Sequence, residues 1–362
     1  MKLNKKIIIA TGGTGGHVFP AYSLAQNLIK GKFNVKIITD KRGFQFLRNY
    51  NDIKFKIINS SRIYKNNPFF TIFTLVKNIF AFLHSIIILL KFKPDIVFGM
   101  GGYSSFPVCI ASKILGIPFI IYENNLFLGK ANRYLLPFAS KLAVAYKNLE
   151  GVNEKYRFKL VEIGNIIREK ILYFNEKSLK GSEETLSILI LGGSQAARSF
   201  GEKLPTVFAE CTNAGIKLKI YQQCLESQSS ALKNNYNLLN IETEMFHFSH
   251  NLLSYFPRVD LAITRSGSSM LAELLNCNIP IISIPLPHSA DNHQLKNAKY
   301  FENKGYSFLI EEFEIKKNLF PLIKSIHKDK GLLNQMKIKQ SKYSDKKVFE
   351  KIDNLIKQLI HE

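Results

Sequence analysis

The sequence predicts an α/β protein made of two doubly wound, Rossmann-like parallel-sheet domains, and three observations carry that prediction. Residues 7–20, IIIATGGTGGHVFP, run as apolar strand, glycine loop and helix start. The same grammar restarts in the second half with LSILILGGSQAARSF, residues 186–200. The chain has 362 residues, more than one core usually covers, so two domains are expected. Strands that alternate with helical stretches select a parallel sheet covered by helices.

Ile7, Ile8, Ile9 and Ala10 form the first short buried strand. The glycines after it let the backbone approach an anion, and the following helix start offers N–H groups, which is the phosphate-binding arrangement. From Pro20 the spacing is helical, with Leu24, Leu28 and Ile29 on one face. His17, at the strand tip, has two readings: a group placed for proton transfer, or a capping or merely polar loop residue. VKIITD (35–40) is a second strand, and Asp40 ends it where a dinucleotide enzyme places its ribose-binding acid. TGGTGGHV fits GxGxxG in no register, however, which weakens a nicotinamide reading. FKIINS (55–60) is a third strand.

Residues 69–90 are the most apolar stretch and nearly long enough to span a bilayer. Lys77, Asn78 and His84 interrupt it, and a central lysine costs roughly 2.5–3.5 kcal/mol on insertion. One or two helices of a soluble domain are expected here. They are either core helices or an exposed apolar patch flanked by Arg62, Lys65, Lys91 and Lys93, suited to an acidic membrane surface. DIVFGMGGYSSFP (95–107) repeats strand and glycine turn, with a helix from Pro107. IPFIIYENN (117–125) is a strand ending in Glu123, Asn124 and Asn125, at the carboxyl end where open parallel sheets bind ligands. KLAVAY (141–146) and LVEIGN (160–165) are further strands, and the first domain is 1–164.

The second domain, 165–344, contains strands at 186–191, 217–224, 259–264 and 279–287, with NLLSYF (251–256) as a helix. A last helix, about 345–362, has Ile352, Leu355, Ile356 and Leu359 in phase and is expected to pack back on the first domain. Two such domains place the active site in the cleft between them. Ser266, Gly267, Ser268 and Ser269 open a helix and suit a phosphate. Glu273, one turn on, suits either two ribose hydroxyls or solvent.

The net charge of +22 favours an anionic partner. Richness in Lys, Asn, Ile and Phe without Trp is also what an AT-rich genome yields, and the scattered lysines form no nucleic-acid motif, so no nucleic acid is expected. The four cysteines, Cys109, Cys211, Cys224 and Cys277, are far apart and read as reduced thiols. The apolar run after MKLNKK is too short for a signal peptide. An intracellular protein is expected. No DxD-type carboxylate cluster offers to hold a divalent ion.

TGGTGGHVFPA (11–21), FGMGGYSSFP (98–107), YENN (122–125), IGNIIR (163–168), LGGSQAAR (191–198), TRSGSSMLAE (264–273) and DNHQLKNA (291–298) occur in this order. In them the chain resembles the MurG family of bacterial glycosyltransferases, which have the GT-B fold and move N-acetylglucosamine from UDP-GlcNAc to lipid I, giving lipid II for peptidoglycan. The resemblance implies that the second domain holds the donor. Ser194 and the helix start at Ser268 and Ser269, running on through Met270, Leu271 and Ala272, meet the diphosphate. Glu273 holds the ribose, and Arg168 lies near the uracil or phosphates. Ser249, matched by position alone, offers its backbone to uracil, and His293 and Gln294 meet sugar hydroxyls. Thr14, Gly15, Gly16 and Asn125 face the GlcNAc and the acceptor. His17 is the implied base, with Glu123 as its accomplice. Ala196 and Phe106 stand where the family has glycine, leaving the phosphate loop and the acceptor side locally uncertain.

The implied reaction is an inverting displacement by the MurNAc C4 hydroxyl. Helix dipole and hydroxyls stabilise the departing UDP, and no metal is expected at the diphosphate. A polyprenyl acceptor implies peripheral attachment to the cytoplasmic face of the anionic inner membrane, with cell-division or elongation proteins left open as partners. Two rivals remain: a GT-B enzyme with another lipid acceptor, such as diacylglycerol, and a nicotinamide dehydrogenase or non-catalytic nucleotide-binding module.

Overall fold

The computed structural model describes residues 5–50, 52–61, 68–174, 184–193, 198–247 and 251–361. Two compact units emerge: Met1–Arg168 with Asp345–Glu362, and Glu169–Ser344.

In the first unit the chain runs through β1 (Lys6–Ala10), α1 (Gly15–Lys30), β2 (Asn34–Thr39), α2 (Lys41–Leu47), β3 (Lys54–Ile57) and α3 (Pro68–Phe92). It continues through β4 (Ile96–Gly99), α4 (Ser105–Ile114), β5 (Phe119–Glu123), α5 (Lys130–Leu135), β6 (Lys141–Val144) and β7 (Leu160–Glu162). The strands form one parallel sheet in the order β3-β2-β1-β4-β5-β6-β7. Ile7, Ile8 and Ile9 are fully buried, because a central parallel strand is covered on both faces. The strand order reverses between β1 and β4. The loops after these two strands, 11–14 and 100–104, therefore flank the switch point where such sheets bind ligands.

α1 begins five residues before Pro20, with Thr14 extended as its N-cap. Proline has no N–H, so Pro20 leaves the Gly16 carbonyl without its helical donor. Asn124 Nδ2 donates to that carbonyl instead, at 3.1 Å. Leu24 and Leu28 are buried, but Ile29 lies on the exposed side, a correction to the sequence pattern. α4 likewise starts at Ser105, two residues before Pro107, since proline is tolerated in a first turn.

α3 is one continuous helix of 25 residues, about 37 Å long. Its inward stripe is mostly small or polar before the last turns: Thr74, Ala81, Ser85, then Ile88, Leu89 and Phe92. Asn78 Nδ2 donates to the Ser61 carbonyl at 3.0 Å, and Asn78 Oδ1 accepts from Ser61 N at 3.2 Å. The apolar side chains face outward: Phe69, Phe70, Ile72, Phe73, Phe80 and Ile87 are each at least half exposed. Only 28% of its most apolar window is buried, so the core-helix reading is set aside and the exposed-patch reading stands. By length and composition the helix is long and apolar enough to cross a membrane.

The second unit contains α6 (Glu169–Leu172), β8 (Thr185–Leu191), α7 (Arg198–Asn213), β9 (Lys217–Gln223), α8 (Glu226–Leu238), β10 (Glu242–Phe246) and β11 (Leu261–Thr264). α9 (Ser268–Asn276), β12 (Ile281–Ser283), α10 (His293–Asn303), β13 (Phe308–Leu309), α11 (Ile315–Lys328) and α12 (Gly331–Gln340) follow. Its parallel sheet has the order β10-β9-β8-β11-β12-β13, with the switch point between β8 and β11. NLLSYF forms tight turns at Leu252–Ser254 and Phe256–Arg258 instead of a helix, since Pro257 gives no N–H to an α-turn. β12 is shorter than expected because Pro280 and Pro285 bracket it and cannot donate to a ladder.

The final helix, α13 (Val348–His361), belongs to the first unit and touches β4 through an apolar side that includes Ile352, Leu355 and Ile356. Its entry is fastened at Asp345. Asn165 N donates to Asp345 Oδ1 at 2.8 Å and Asn165 Nδ2 to Oδ2 at 3.3 Å. Tyr122 secures the same stretch, donating to the Gly164 carbonyl at 3.2 Å and accepting from Ile166 N at 3.0 Å.

Candidate active site

In the first unit the site is built on two glycine loops. Thr11 N donates to the Ile38 carbonyl at 2.9 Å, and Met100 N donates to the Ala10 carbonyl at 2.8 Å, so each loop is pinned to a neighbouring strand. His17 sits in the first turn of α1, not at a strand tip, because Thr14 starts the helix early. Its half-buried ring lies against Gly101 and Gly102. Both take left-handed backbone angles, φ +84° and +75°, which other residues adopt only at a cost. A methyl group on Gly101 would come within 3.1 Å of His17 Cε1 and 3.2 Å of Nδ1. The loop thus requires glycine for its conformation and for space beside the imidazole.

The expectation that loop 11–16 cradles phosphate meets an obstacle. Gly13 N donates to Asp40 Oδ1 at 3.0 Å, and the Asp40 carboxylate is buried directly behind the loop. Its negative charge opposes a diphosphate there. Asp40 also caps α2, accepting from Gly43 N at 2.8 Å, and takes a short hydrogen bond from the Tyr103 hydroxyl. Three donors thus take most of its acceptor sites and tie it to the loops.

Glu123 ends β5 and is 3% exposed. Oε1 accepts from Asn125 N at 3.1 Å and Asn125 Nδ2 at 3.0 Å, while Oε2 accepts from Gly129 N at 2.9 Å and Asn132 Nδ2 at 3.0 Å. Four donors occupy this carboxylate, so its geometry is that of a brace for the 124–132 corner, unlike a base facing a reacting hydroxyl. Asn125 Nδ2 is drawn to Glu123 and to Asn124 Oδ1 at 3.0 Å. Thr14 and Gly16 are exposed on the outer side of the α1 first turn, and Gly15 is buried.

In the second unit Arg265 organises the loops. It is 6% exposed, and its guanidinium donates to the Ile284 and Pro285 carbonyls at 3.3 and 3.2 Å, to Ser199 Oγ at 2.7 Å, and to Glu312. It also lies over the Phe200 ring, 4.5 Å from the centroid. Burial would push the Glu312 carboxyl up, but Arg265 and Lys203 beside it hold it below the ordinary range. In the sequence Arg265 stands within TRSGSSMLAE without a role of its own. The signal was a charged residue directly after the all-buried strand LAIT.

α9 opens at Gly267, and Leu271 N closes the first turn on the Gly267 carbonyl at 3.1 Å. The N–H groups of residues 268–270 precede that bond and point along the axis, the anion-binding geometry of a helix start. Ser268 is buried and Ser269 and Met270 half-buried. Leu271 and Ala272 are fully buried, so their side chains belong to the core and only backbone remains to serve a ligand. Glu273 is 7% exposed, which overturns the reading of a solvated helix residue.

Beyond β12, His288, Asp291 and Asn292 all take left-handed angles, φ +56°, +52° and +54°. Such strain collects at functional sites. Gln294 Oε1 accepts from Leu286 N at 2.9 Å, Gln294 N donates to Ser289 Oγ at 3.2 Å, and His293 Nδ1 lies 2.7 Å from the Ala290 carbonyl. Arg168 is the last residue of the first unit, and its charge acts on Tyr50. Ser194, Ser249 and Ala196 lie outside the described residues. Phe106 is 38% exposed in the first turn of α4. Among the described residues, no group of three or more His, Cys, Asp or Glu is placed to hold a metal ion.

Both halves match family models: the glycosyltransferase family 28 N-terminal domain over residues 7–144 and the C-terminal domain over 187–354. Together with the two parallel sheets, these matches define a two-domain glycosyltransferase of the GT-B fold. Within that class the chain belongs to the MurG family. It is 34% identical over 346 residues, 95% of this chain and 96% of the relative, to the UDP-N-acetylglucosamine--N-acetylmuramyl-(pentapeptide) pyrophosphoryl-undecaprenol N-acetylglucosamine transferase of Pelagibacter ubique (strain HTCC1062). The transferase of the same name from Rickettsia bellii (strain RML369-C) is 34% identical over 98% of this chain and 100% of its own length. Among solved structures, Acinetobacter baumannii MurG superposes with TM-score 0.78 at 24% identity over 98% of this chain and 99% of that one. S. aureus MnaA in its UDP co-structure gives 0.70 at 17% identity over 99% and 98%, a likeness of fold.

Proposed function

We propose that this protein transfers N-acetylglucosamine from UDP-GlcNAc to the MurNAc C4 hydroxyl of undecaprenyl-diphospho-MurNAc-pentapeptide, lipid I, and so makes lipid II. The observation that carries the reading is 34% identity along nearly the whole chain to transferases named for that reaction. His17, walled by Gly101 and Gly102 at a switch point, is in keeping with it.

The donor binds the second unit. The first turn of α9 takes the diphosphate through backbone N–H and the Ser268 and Ser269 hydroxyls. Glu273 receives the ribose hydroxyls, and His293 and Gln294, which open α10 directly after the left-handed residues Asp291 and Asn292, meet the sugar. His17 removes the proton from the C4 hydroxyl as its oxygen bonds to the anomeric carbon. The bond from that carbon to the diphosphate oxygen breaks, its electron pair leaves with UDP, and the α-linked donor gives a β-linked product. The charge leaving on UDP is met by helix dipole and hydroxyls, so the reaction runs without a metal at the diphosphate.

Lipid I holds the reacting sugar at the membrane, and the enzyme reaches it as a peripheral protein on the cytoplasmic face. The outward side of α3 supports this, an apolar helix face with Lys91 and Lys93 at its end. The flanking Arg62 and Lys65 lie outside the described residues. The deciding experiment is transfer of radiolabel from UDP-GlcNAc to a lipid I analogue, with and without chelator. Labelled lipid II at an unchanged rate in chelator is expected. No transfer refutes the function, and loss of rate in chelator refutes the metal-free step.

A further inference from the structure

We infer that Asp40 is a positioning residue for the transfer, binding the two glycine loops together so that the imidazole of His17 is held in one place. This rests on the reading of His17 as the base. The observation behind it is that one buried carboxylate bonds both loops. Asp40 Oδ1 accepts from Gly13 N, in the loop after β1, at 3.0 Å, and from Gly43 N at 2.8 Å. Asp40 Oδ2 accepts from the hydroxyl of Tyr103, in the loop after β4. The loops meet closely at this point. A methyl group built on Gly12 would stand 2.4 Å from Ser104 Oγ and 2.5 Å from Asp40 Oδ1, so backbone, Ser104 and carboxylate are already in contact distance. His17 follows the first loop by a single helical turn and rests its ring on Gly101 and Gly102 of the second. The relative placement of the two loops therefore sets the imidazole.

The Tyr103 phenol is suited to a permanent bond. Burial, then the hydrogen bond and charge of Asp40, push it up to about 12, while Arg42 beside it acts in the opposite direction. The phenol stays protonated and donates throughout the working range. Without Asp40, Gly13 N–H and Tyr103 lose their common acceptor, and the Gly101–Gly102 wall is released from the first loop. Donor binding is the task of the other unit and has no bond to Asp40.

Asp40→Ala should lower kcat by about 10–100-fold, the scale of a misplaced catalytic group, with KM for UDP-GlcNAc and calorimetric UDP affinity unchanged. Asp40→Asn keeps an oxygen for Gly13 N–H and Gly43 N–H and turns its NH2 group toward the Tyr103 oxygen, which can accept, so it should recover most of that loss and fold normally. Tyr103→Phe, which cuts the bond between the loops, should lose most of what Asp40→Ala loses, and the Asp40→Ala/Tyr103→Phe double variant should be no worse than the poorer single one, because both changes cut one link. Wild-type kcat in Asp40→Ala overturns the inference. So does an equal fall in UDP affinity, which marks general damage to the fold, and so do multiplicative losses in the double variant. His17→Ala, measured alongside, separates the failures. If it is inactive while the Asp40 variants are normal, only the role of Asp40 is refuted. If it is fully active, the base reading fails and the inference goes with it.

Discussion

Replacing Glu123 by glutamine distinguishes a brace from a base. The carboxylate receives two donors on each oxygen. Glutamine keeps one oxygen and turns the other into an NH2 group, so either rotamer sets a donor against two donors. Hydrogen bonds to a charged acceptor contribute about 1.5–3 kcal/mol each, and two lost bonds give a gross cost of about 3–6 kcal/mol. The half-exposed Asn125 side chain can turn away from the NH2 group, whereas Gly129 N–H and the buried Asn132 amide cannot. The rotamer that faces Asn125 is therefore preferred, and the cost should fall near about 3 kcal/mol. For a unit of this size the midpoint should drop by roughly 6–12 °C, read by calorimetry or near-ultraviolet circular dichroism. Turnover well below the midpoint should fall only moderately, because no proton passes through this carboxyl. An unchanged midpoint together with a kcat loss of about 100-fold or more would refute the reasoning and return Glu123 to the chemistry.

Other outcomes follow from the remaining residues. His17→Ala should lose about 10²–10⁴-fold in kcat while calorimetry finds UDP binding nearly normal; parallel losses in both would make it a donor-site residue. Glu273→Ala should raise KM for UDP-GlcNAc by roughly 2–4 kcal/mol of lost charged hydrogen bonding, and an unchanged KM with reduced rate contradicts the ribose role. Flotation with liposomes should fall with salt and with removal of anionic lipid, each basic residue contributing about 1 kcal/mol, and charge reversal at Lys65 and Lys91 should weaken it. Failure of carbonate to release the protein would instead mean that α3 spans the membrane. Glu312 is held below its ordinary value of 4.5, so its contribution to stability is complete above that value and fades as pH falls through the lowered one. The stability gap between wild type and Glu312→Gln, measured by urea unfolding, should narrow in acid; a gap that widens reverses the sign of the argument.

The parallel sheets were legible because their strands are short apolar runs punctuated by glycine, and this pattern follows from burial on both faces. Strands with little apolar content escaped: Glu242–Phe246 at one sheet edge opens Glu-Thr-Glu before its two apolar residues, and Phe308–Leu309 is only two residues long. The start of α1 was misplaced because Pro20 reads as a first-turn proline, and nothing local tells that Asn124 satisfies the carbonyl it strands. Residue type singled out His17, and the fold sets its ring against Gly101 and Gly102. Residue type read Asp40 only as a strand-end acid and was silent about Asn132 and Arg265; the non-local bonding partners of these three residues lie 9 to 66 positions away and are brought together only by the fold. Glu273 shows the same limit, since helical spacing alone did not say which side of α9 was covered.

The fastening of Asn165 to Asp345 has a consequence for biosynthesis. The partners lie about 180 positions apart, so at about 5–20 residues per second the ribosome needs roughly 10–35 s to deliver the second after the first. In that interval all of Glu169–Ser344 emerges and is able to fold as a unit, while the older, N-terminal unit still lacks its last helix. The usual order of vectorial folding is thereby inverted: the segment synthesised first is completed last. Until α13 arrives, the apolar residues of the first unit that it covers stay open to chaperones and to other nascent chains. A ribosome that stalls just short of Asp345 would release a finished second unit joined to an unfinished first one.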